Sequence, residues 1–129
     1  MERAIGPLVL NTVAAGTDDV AYAVWPFTGP ARVSALRIVP QIAVTANATN
    51  YATLSVEIDG TEIATEATTV ADLGDLVAGT DIAAALTGSG TSLEVAQNAV
   101  IAFKKTGAGT GVAVGNMALM VLCQTDRLD

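Results

Sequence analysis

The stretch Tyr51–Ile58 alternates without a break. Leu54, Val56 and Ile58 share one parity, and Thr53, Ser55 and Glu57 share the other. A period of two does not suit a helix, whose faces repeat about every 3.6 residues; it predicts a strand with one dry side and one wet side. Asp59-Gly60 follows at once, and β-compatible residues resume over Thr61–Thr68. Asp-Gly is a hairpin signal because both positions of the tight turn need positive φ, which these residues tolerate. This pair anchors the expectation of an antiparallel, all-β chain.

Other runs read the same way. Leu8–Ala15 and Asp19–Trp25 flank Gly16-Thr17-Asp18, and Arg32–Val39 lies between Gly29-Pro30 and Pro40. The apolar phase of Arg32–Val39 slips between Ser34 and Arg37, which a β-bulge near Ser34–Leu36 or burial of both faces would reconcile. Ala99–Lys105 and Val112–Cys123 flank the glycine-rich tip 106–111. The segment 68–90 reads mainly as loop, because Gly74 and Gly79 oppose the helical spacing of Val70, Leu73 and Val77; a strand is expected near Asp81–Leu86. The sum is about eight short strands with regular turn signals, the pattern of an antiparallel β-sandwich, jelly-roll-like, filling one domain over residues 1–129.

Composition narrows the function. The chain has no histidine, which removes the commonest general base, the commonest metal ligand and any nucleophile activated by imidazole. Its formal charge is −7, with six Lys and Arg against thirteen Asp and Glu. That balance opposes binding to nucleic acid or to an anionic membrane, and suits a cationic protein partner. The single cysteine, Cys123, sits in an apolar run and is expected to be a buried small hydrophobe, in keeping with folding in a reducing compartment. No apolar run approaches the roughly 20 residues of a membrane helix. Glu2, Pro7 and Asn11 break the N-terminal apolar stretch, so it is expected to belong to the mature protein.

The residues that could carry chemistry have plainer explanations. The acidic pairs Asp18/Asp19, Glu57/Asp59, Glu62/Glu66 and Asp72/Asp75 lie in turns, beside them or on wet faces. Asp72, Asp75 and Asp81 share a loop region but lack EF-hand spacing. Gly107-Ala108-Gly109-Thr110-Gly111 is followed by Val112-Ala113-Val114, not by the Lys-Ser/Thr and helix of a phosphate loop. Asn47-Ala48-Thr49 matches a glycosylation sequon by chance. Trp25-Pro26-Phe27 is read either as a plug at one end of the sandwich or as a contact surface. No catalytic, cofactor or metal residues are expected.

The C-terminal strands are apolar on both parities. Ala99, Ile101 and Phe103 alternate with Val100 and Ala102, and Met117–Cys123 is apolar throughout. A strand in an isolated two-layer sandwich should show one polar face, so a neighbouring subunit is the simplest cover for the second. The expected oligomer interface is Ile101, Phe103, Met117, Leu119 and Val121; the alternative is cover by the chain's own loops.

Four stretches together carry a family resemblance. They are Pro26-Phe27-Thr28-Gly29-Pro30-Ala31-Arg32-Val33, Asn50-Tyr51-Ala52-Thr53-Leu54-Ser55-Val56, Asp59-Gly60-Thr61-Glu62-Ile63-Ala64 and Lys105-Thr106-Gly107-Ala108-Gly109-Thr110-Gly111-Val112. In this order the chain resembles small virion proteins of tailed phages, the head-decoration (capsid-cementing) and head-fibre proteins with jelly-roll-like folds. It departs from them at Gln97-Asn98, where the family often carries Gly-Asp. The resemblance implies a non-enzymatic homotrimer, made in the host cytoplasm and seated on the outer surface of the head, where it bridges subunits of the major capsid protein and stabilises the shell. Residues 1–10 then become a candidate N-terminal arm, with Glu2, Arg3, Ile5, Pro7 and Leu8 as candidate capsid-binding residues; the alternative for this segment is an ordinary first strand or a disordered tail. The competing reading is a carbohydrate- or receptor-binding β-sandwich module of a phage fibre or tail.

Overall fold

The structure is a computed structural model and describes residues 2–11, 14–29, 31–88 and 90–125. Eight strands form: β1 (Glu2–Leu10), β2 (Asp19–Val24), β3 (Arg32–Val39), β4 (Tyr51–Ile58), β5 (Thr61–Ala67), β6 (Ile82–Ala84), β7 (Val100–Ala108) and β8 (Met117–Gln124). A short 3-10 turn at Gly90–Leu93 is the only helical element among the described residues. The strands make two four-stranded antiparallel sheets, ordered β1-β8-β3-β6 and β2-β7-β4-β5.

The topology is that of one long hairpin folded in half and rolled up. Its tip is the β4–β5 turn, where Ile58 pairs with Thr61 and both Asp59 (φ 48°) and Gly60 (φ 87°) take positive φ. Outward from the tip, β3 pairs with β6, β2 with β7 and β1 with β8. Rolling adds the pairs β3–β8 and β4–β7, which complete the sheets. Eight strands so wound form a jelly roll. The bulge expected near Ser34 is present: the β3–β8 register shifts between Val33 and Ala35, which restores Leu36 and Ile38 to the inner side.

The core lies between the sheets. Leu54, Val56, Ile63, Ile101, Phe103, Leu119 and Val121 are all almost fully buried, and Trp25 and Leu93 close one end. At roughly 25 cal/mol per Å2 of apolar surface, full burial of one such aliphatic side chain stabilises by about 1.5–3 kcal/mol.

Three expectations need correction. The first strand runs over Glu2–Leu10, not Leu8–Ala15, so the candidate arm is an edge strand of the sheet. It is held there because Leu8 and Leu10 are buried in the core. The last strand begins at Met117; residues 112–116 hold only an isolated bridge at Val114. Finally, Ile101, Phe103, Met117, Leu119 and Val121 are all 0 % exposed within the single chain. They face the opposite sheet and are not an interface.

Candidate functional site

With one parity of the C-terminal strands committed to the core, the other parity defines the outer surface. On β8 it is Ala118, Met120 and Leu122, each half-buried. Their cross-strand neighbours on the same face are apolar as well. Ala4 and Ala35 flank Leu122, while Val9 and Val39 flank Ala118. Met120 sits between the bulge at Gly6-Pro7 and Arg37. A Cβ on Gly6 would lie 2.9 Å from the Met120 sulfur, so the methionine covers that glycine. Arg37 is the one charge in these rows, and Asp81 engages it through two guanidinium nitrogens, with Nε 3.0 Å from either carboxylate oxygen. That pairing holds the Asp81 carboxyl below its ordinary range.

The second sheet is apolar outside only near β2. Val24 pairs with Val100 and Tyr22 with Ala102. Tyr22 is 65 % exposed, Val24 54 % and Val100 40 %. Further across, the same face turns polar at Glu57, Lys104 and Ser55, with Lys104 Nζ 3.0 Å from Glu57.

The acidic residues mostly hold loops. Asp18 accepts the Gly107 N–H at 3.0 Å, Asp59 the Val100 N–H at 2.8 Å, Asp72 the Ala67 N–H at 2.6 Å and Asp75 the Ala46 N–H at 2.7 Å. Glu66 accepts the Ala85 N–H at 2.9 Å; burial, with a hydrogen bond shared with Asp72, raises its pKa. Among the described residues no three His, Cys, Asp or Glu side chains could hold a metal ion. A cleft of roughly 550 Å3 opens between Arg32, Asp59, Glu94 and Gln97. Arg32 spans part of its wall to Glu94 at 3.2 Å.

The glycine run has a backbone role. Gly107 and Gly111 let the β7–β8 loop lie against Gly16 of the β1–β2 loop: a Cβ on Gly107 would meet the Gly16 Cα at 3.2 Å, and one on Gly111 would meet it at 2.8 Å. Lys105, to which sequence reasoning gave no role, ties strand β7 to the β1–β2 loop. It is 1 % exposed, and its Nζ donates to the carbonyls of Thr17 (2.5 Å) and Ala14 (3.3 Å). Burial lowers its pKa, and Asp18 partly offsets this. The buried stem could not be foreseen from the alternation alone, because a lysine normally marks the wet face.

No protein-family model matches the chain, and no curated protein is similar to it in sequence. The site must therefore be judged on geometry. Of the five candidate capsid-binding residues, Leu8 is buried and Ile5 half-buried, which leaves Glu2, Arg3 and Pro7 on the surface. The Arg3 guanidinium already lies 4.5 Å over the Phe27 ring, a cation–π contact. Phe27 in turn meets Trp25 edge-on, with ring centroids 5.0 Å apart. Trp25 is 0 % exposed, so the cluster is a plug and its tryptophan cannot stack on a sugar. Its Nε1 has no hydrogen-bond partner among the described residues.

Proposed function

We propose that this chain is a non-enzymatic structural protein of a virion, which decorates the outer surface of a phage head as a homotrimer and stabilises the shell by bridging major capsid protein subunits. The observation that carries the reading is the pair of mainly apolar strips on the outer faces of a jelly-roll sandwich, in which the one charge, Arg37, is paired with Asp81. Exposed apolar surface of that kind marks a protein contact, and small, flat side chains suit a close fit between subunits. The family resemblance supplies the particle. The commitment of acids and bases to loop anchoring supports a building block over a catalyst.

Three linked copies would grip a shell with avidity roughly 10²–10⁴ above one, so weak single contacts suffice. Glu2, Arg3 and Pro7, on the free edge of β1, remain the capsid-facing candidates. Deleting residues 1–10 cannot test them, because it would also remove Leu8 and Leu10 from the core. The charge reversal Glu2→Lys/Arg3→Glu leaves the core intact and is the better probe. The direct test is sedimentation of particles from cells that make this chain. The reading expects the chain in the particle fraction at fixed stoichiometry, and heads stripped of it to rupture at lower temperature. Finding it only in the soluble fraction overturns the proposal.

A further inference from the structure

The cleft between Arg32, Asp59, Glu94 and Gln97 is held open by the backbone around it. The Val95 N–H donates to the Ala31 carbonyl at 2.9 Å, and the Asn98 N–H to the Trp25 carbonyl at 2.8 Å. Ala31 and Val95 are buried, and with Gly29 and Ala96 they give the cleft an apolar lining free of bulky side chains. Polar groups stand around that lining. Asp59, at the β4–β5 turn, is fixed by a two-way pairing: its N–H donates to the Val100 carbonyl and its Oδ1 accepts the Val100 N–H, both at 2.8 Å. Glu94 follows the 3-10 turn and meets Arg32 through one long contact, 3.2 Å from Nη2 to Oε2, with both side chains about half exposed.

The same end of the molecule carries the capsid-facing candidates. Glu2 pairs with Gln124 on one side of β8 and Arg32 pairs with Gln124 on the other, so Glu2 and the cleft's Arg32 share one row of the sheet. Arg3 lies over Phe27, and the loop that follows Phe27 reaches the cleft at Gly29. The cleft is therefore continuous with the surface proposed to meet the shell. We infer that it receives a basic side chain, lysine or arginine, from the protein on which this end of the sandwich docks. The inference rests on the proposed capsid contact and names the chemistry of one of its anchors.

Charge and shape select this occupant. Two carboxylates and one guanidinium line the cleft, which leaves it one negative charge in a chain that carries −7. That field draws cations and repels phosphates. An aliphatic stem fits against Ala31 and Val95 while its charged head meets Asp59 and Glu94. A long, half-exposed pair such as Arg32–Glu94 is weak, so Glu94 is open to a second cation. The other ion pairs are closed by comparison: Arg37 engages Asp81 through two nitrogens, and Lys104 meets Glu57 at 3.0 Å. A metal ion fits poorly, because two carboxylates fall short of the roughly 6–8 oxygens that calcium gathers. A sugar finds no aromatic platform, since Trp25 is buried and Phe27 is covered by Arg3. Arginine, by contrast, is a frequent anchor in protein contacts.

The test titrates the full chain with end-blocked Gly-Arg-Gly and Gly-Lys-Gly peptides and follows amide chemical shifts. Saturable shifts are expected at Asp59, Glu94 and Gln97 in the millimolar range, weakening as salt is added. Asp59→Asn keeps an acceptor for the Val100 N–H and an Asn-Gly turn, and Glu94→Gln keeps the side-chain size, so both should fold. Each should weaken binding by about 2- to 5-fold, the scale of a half-exposed ion pair. Arg32→Gln frees Glu94 and should tighten binding by a similar factor, a gain that misfolding cannot mimic. Shifts that do not saturate, or that none of the three variants alters, overturn the inference; so does tighter binding of methyl glucoside or of calcium at the same amides. On particles, the double variant Asp59→Asn/Glu94→Gln should leave the head at lower salt than wild type. Release of both at the same salt overturns the anchor and leaves decoration standing. Absence of wild type from the particle fraction overturns decoration, and the peptide titration then decides the cleft separately.

Discussion

Replacing Gly111 by alanine and, separately, Gly60 by alanine separates two costs that the β7–β8 loop combines. Both glycines hold positive φ, +74° and +87°. Around Gly60 nothing lies within 4 Å of an added Cβ. There the methyl group meets only the backbone penalty of the left-handed region, about 1–2 kcal/mol, less about 0.4–1 kcal/mol from a stiffer unfolded chain. At Gly111 the same terms apply, but the Cβ also strikes the backbone of the β1–β2 loop, 2.8 Å from the Gly16 Cα and 3.3 Å from the Ala15 carbonyl carbon. That loop cannot yield freely, because Lys105 holds it through Ala14 and Thr17. Overpacking of this kind adds about 1–3 kcal/mol. The expected losses are therefore about 1 kcal/mol for Gly60→Ala and about 2–4 kcal/mol for Gly111→Ala. For a domain of this size the difference is a gap of about 5–10 °C in Tm. Urea unfolding at a single protein concentration measures it, with unchanged m-values showing that the endpoints are comparable. Equal losses for the two variants would refute the loop-to-loop contact as the reason for glycine at 111.

Cys123 is 0 % exposed and burial pushes its thiol up to about 12, so Ellman's reagent should leave the folded protein unmodified at pH 8 and react fully in denaturant; rapid reaction in the native state would contradict the burial. Glu66 holds its proton more tightly in the folded state than in the unfolded one, so its favourable contribution is complete below the ordinary carboxylate range and fades as pH rises through its raised pKa. Glu66→Gln keeps an acceptor for the Ala85 N–H and cannot ionise; its stability relative to wild type should improve between about pH 4 and pH 7, and denaturation midpoints offset equally at both pH values would count against this account. Lys105→Met keeps the buried stem and removes the charge, while the exposed Ala14 and Thr17 residues can turn their carbonyls to water; the change should stay within about 1 kcal/mol, whereas Lys105→Ala should lose about 2–3 kcal/mol by calorimetry. Similar large losses from both Lys105 variants would show that the ammonium tether, not the stem, carries the stability.

The strands and turn of the β4–β5 hairpin were legible, because alternation and Asp-Gly specify them, but the register shift between Val56 and Glu57 and the burial of Ser55 left no mark in the alternation. The bulge at Ser34 was legible too, as a slip of phase that only an extra residue could reconcile with one buried face. What periodicity could not supply was the sense of the faces in β7 and β8. When both parities are apolar, alternation does not say which points inward, and the expected interface took the core-facing set. The wet-side marker that would have decided β7 was itself misleading: Lys104 points outward to Glu57, but Lys105 shares the inner parity of Ile101 and Phe103. The start of the chain failed for a different reason. Glu2–Leu10 contains Gly6-Pro7, which reads as a break in a strand, yet the structure accommodates it as a bulge on an edge, where a missing N–H costs least.

The high alanine content, 24 of 129 residues, fits the surface better than the core. Alanine adds little burial energy between the sheets, where Leu, Ile, Val and Phe do most of the filling. Outside, Ala4, Ala35, Ala83 and Ala118 make one sheet face smooth enough for another backbone to approach closely. Consecutive strands β1 and β2 enter different sheets, so the smooth face and the protruding Tyr22 and Val24 are brought to two sides of the same edge by topology alone. Polar residues at 118 and 122 would leave the core between the sheets unchanged, since side chains of that parity face away from the opposite sheet. Their apolar character adds nothing between the sheets, and association is the role that the proposed function gives it.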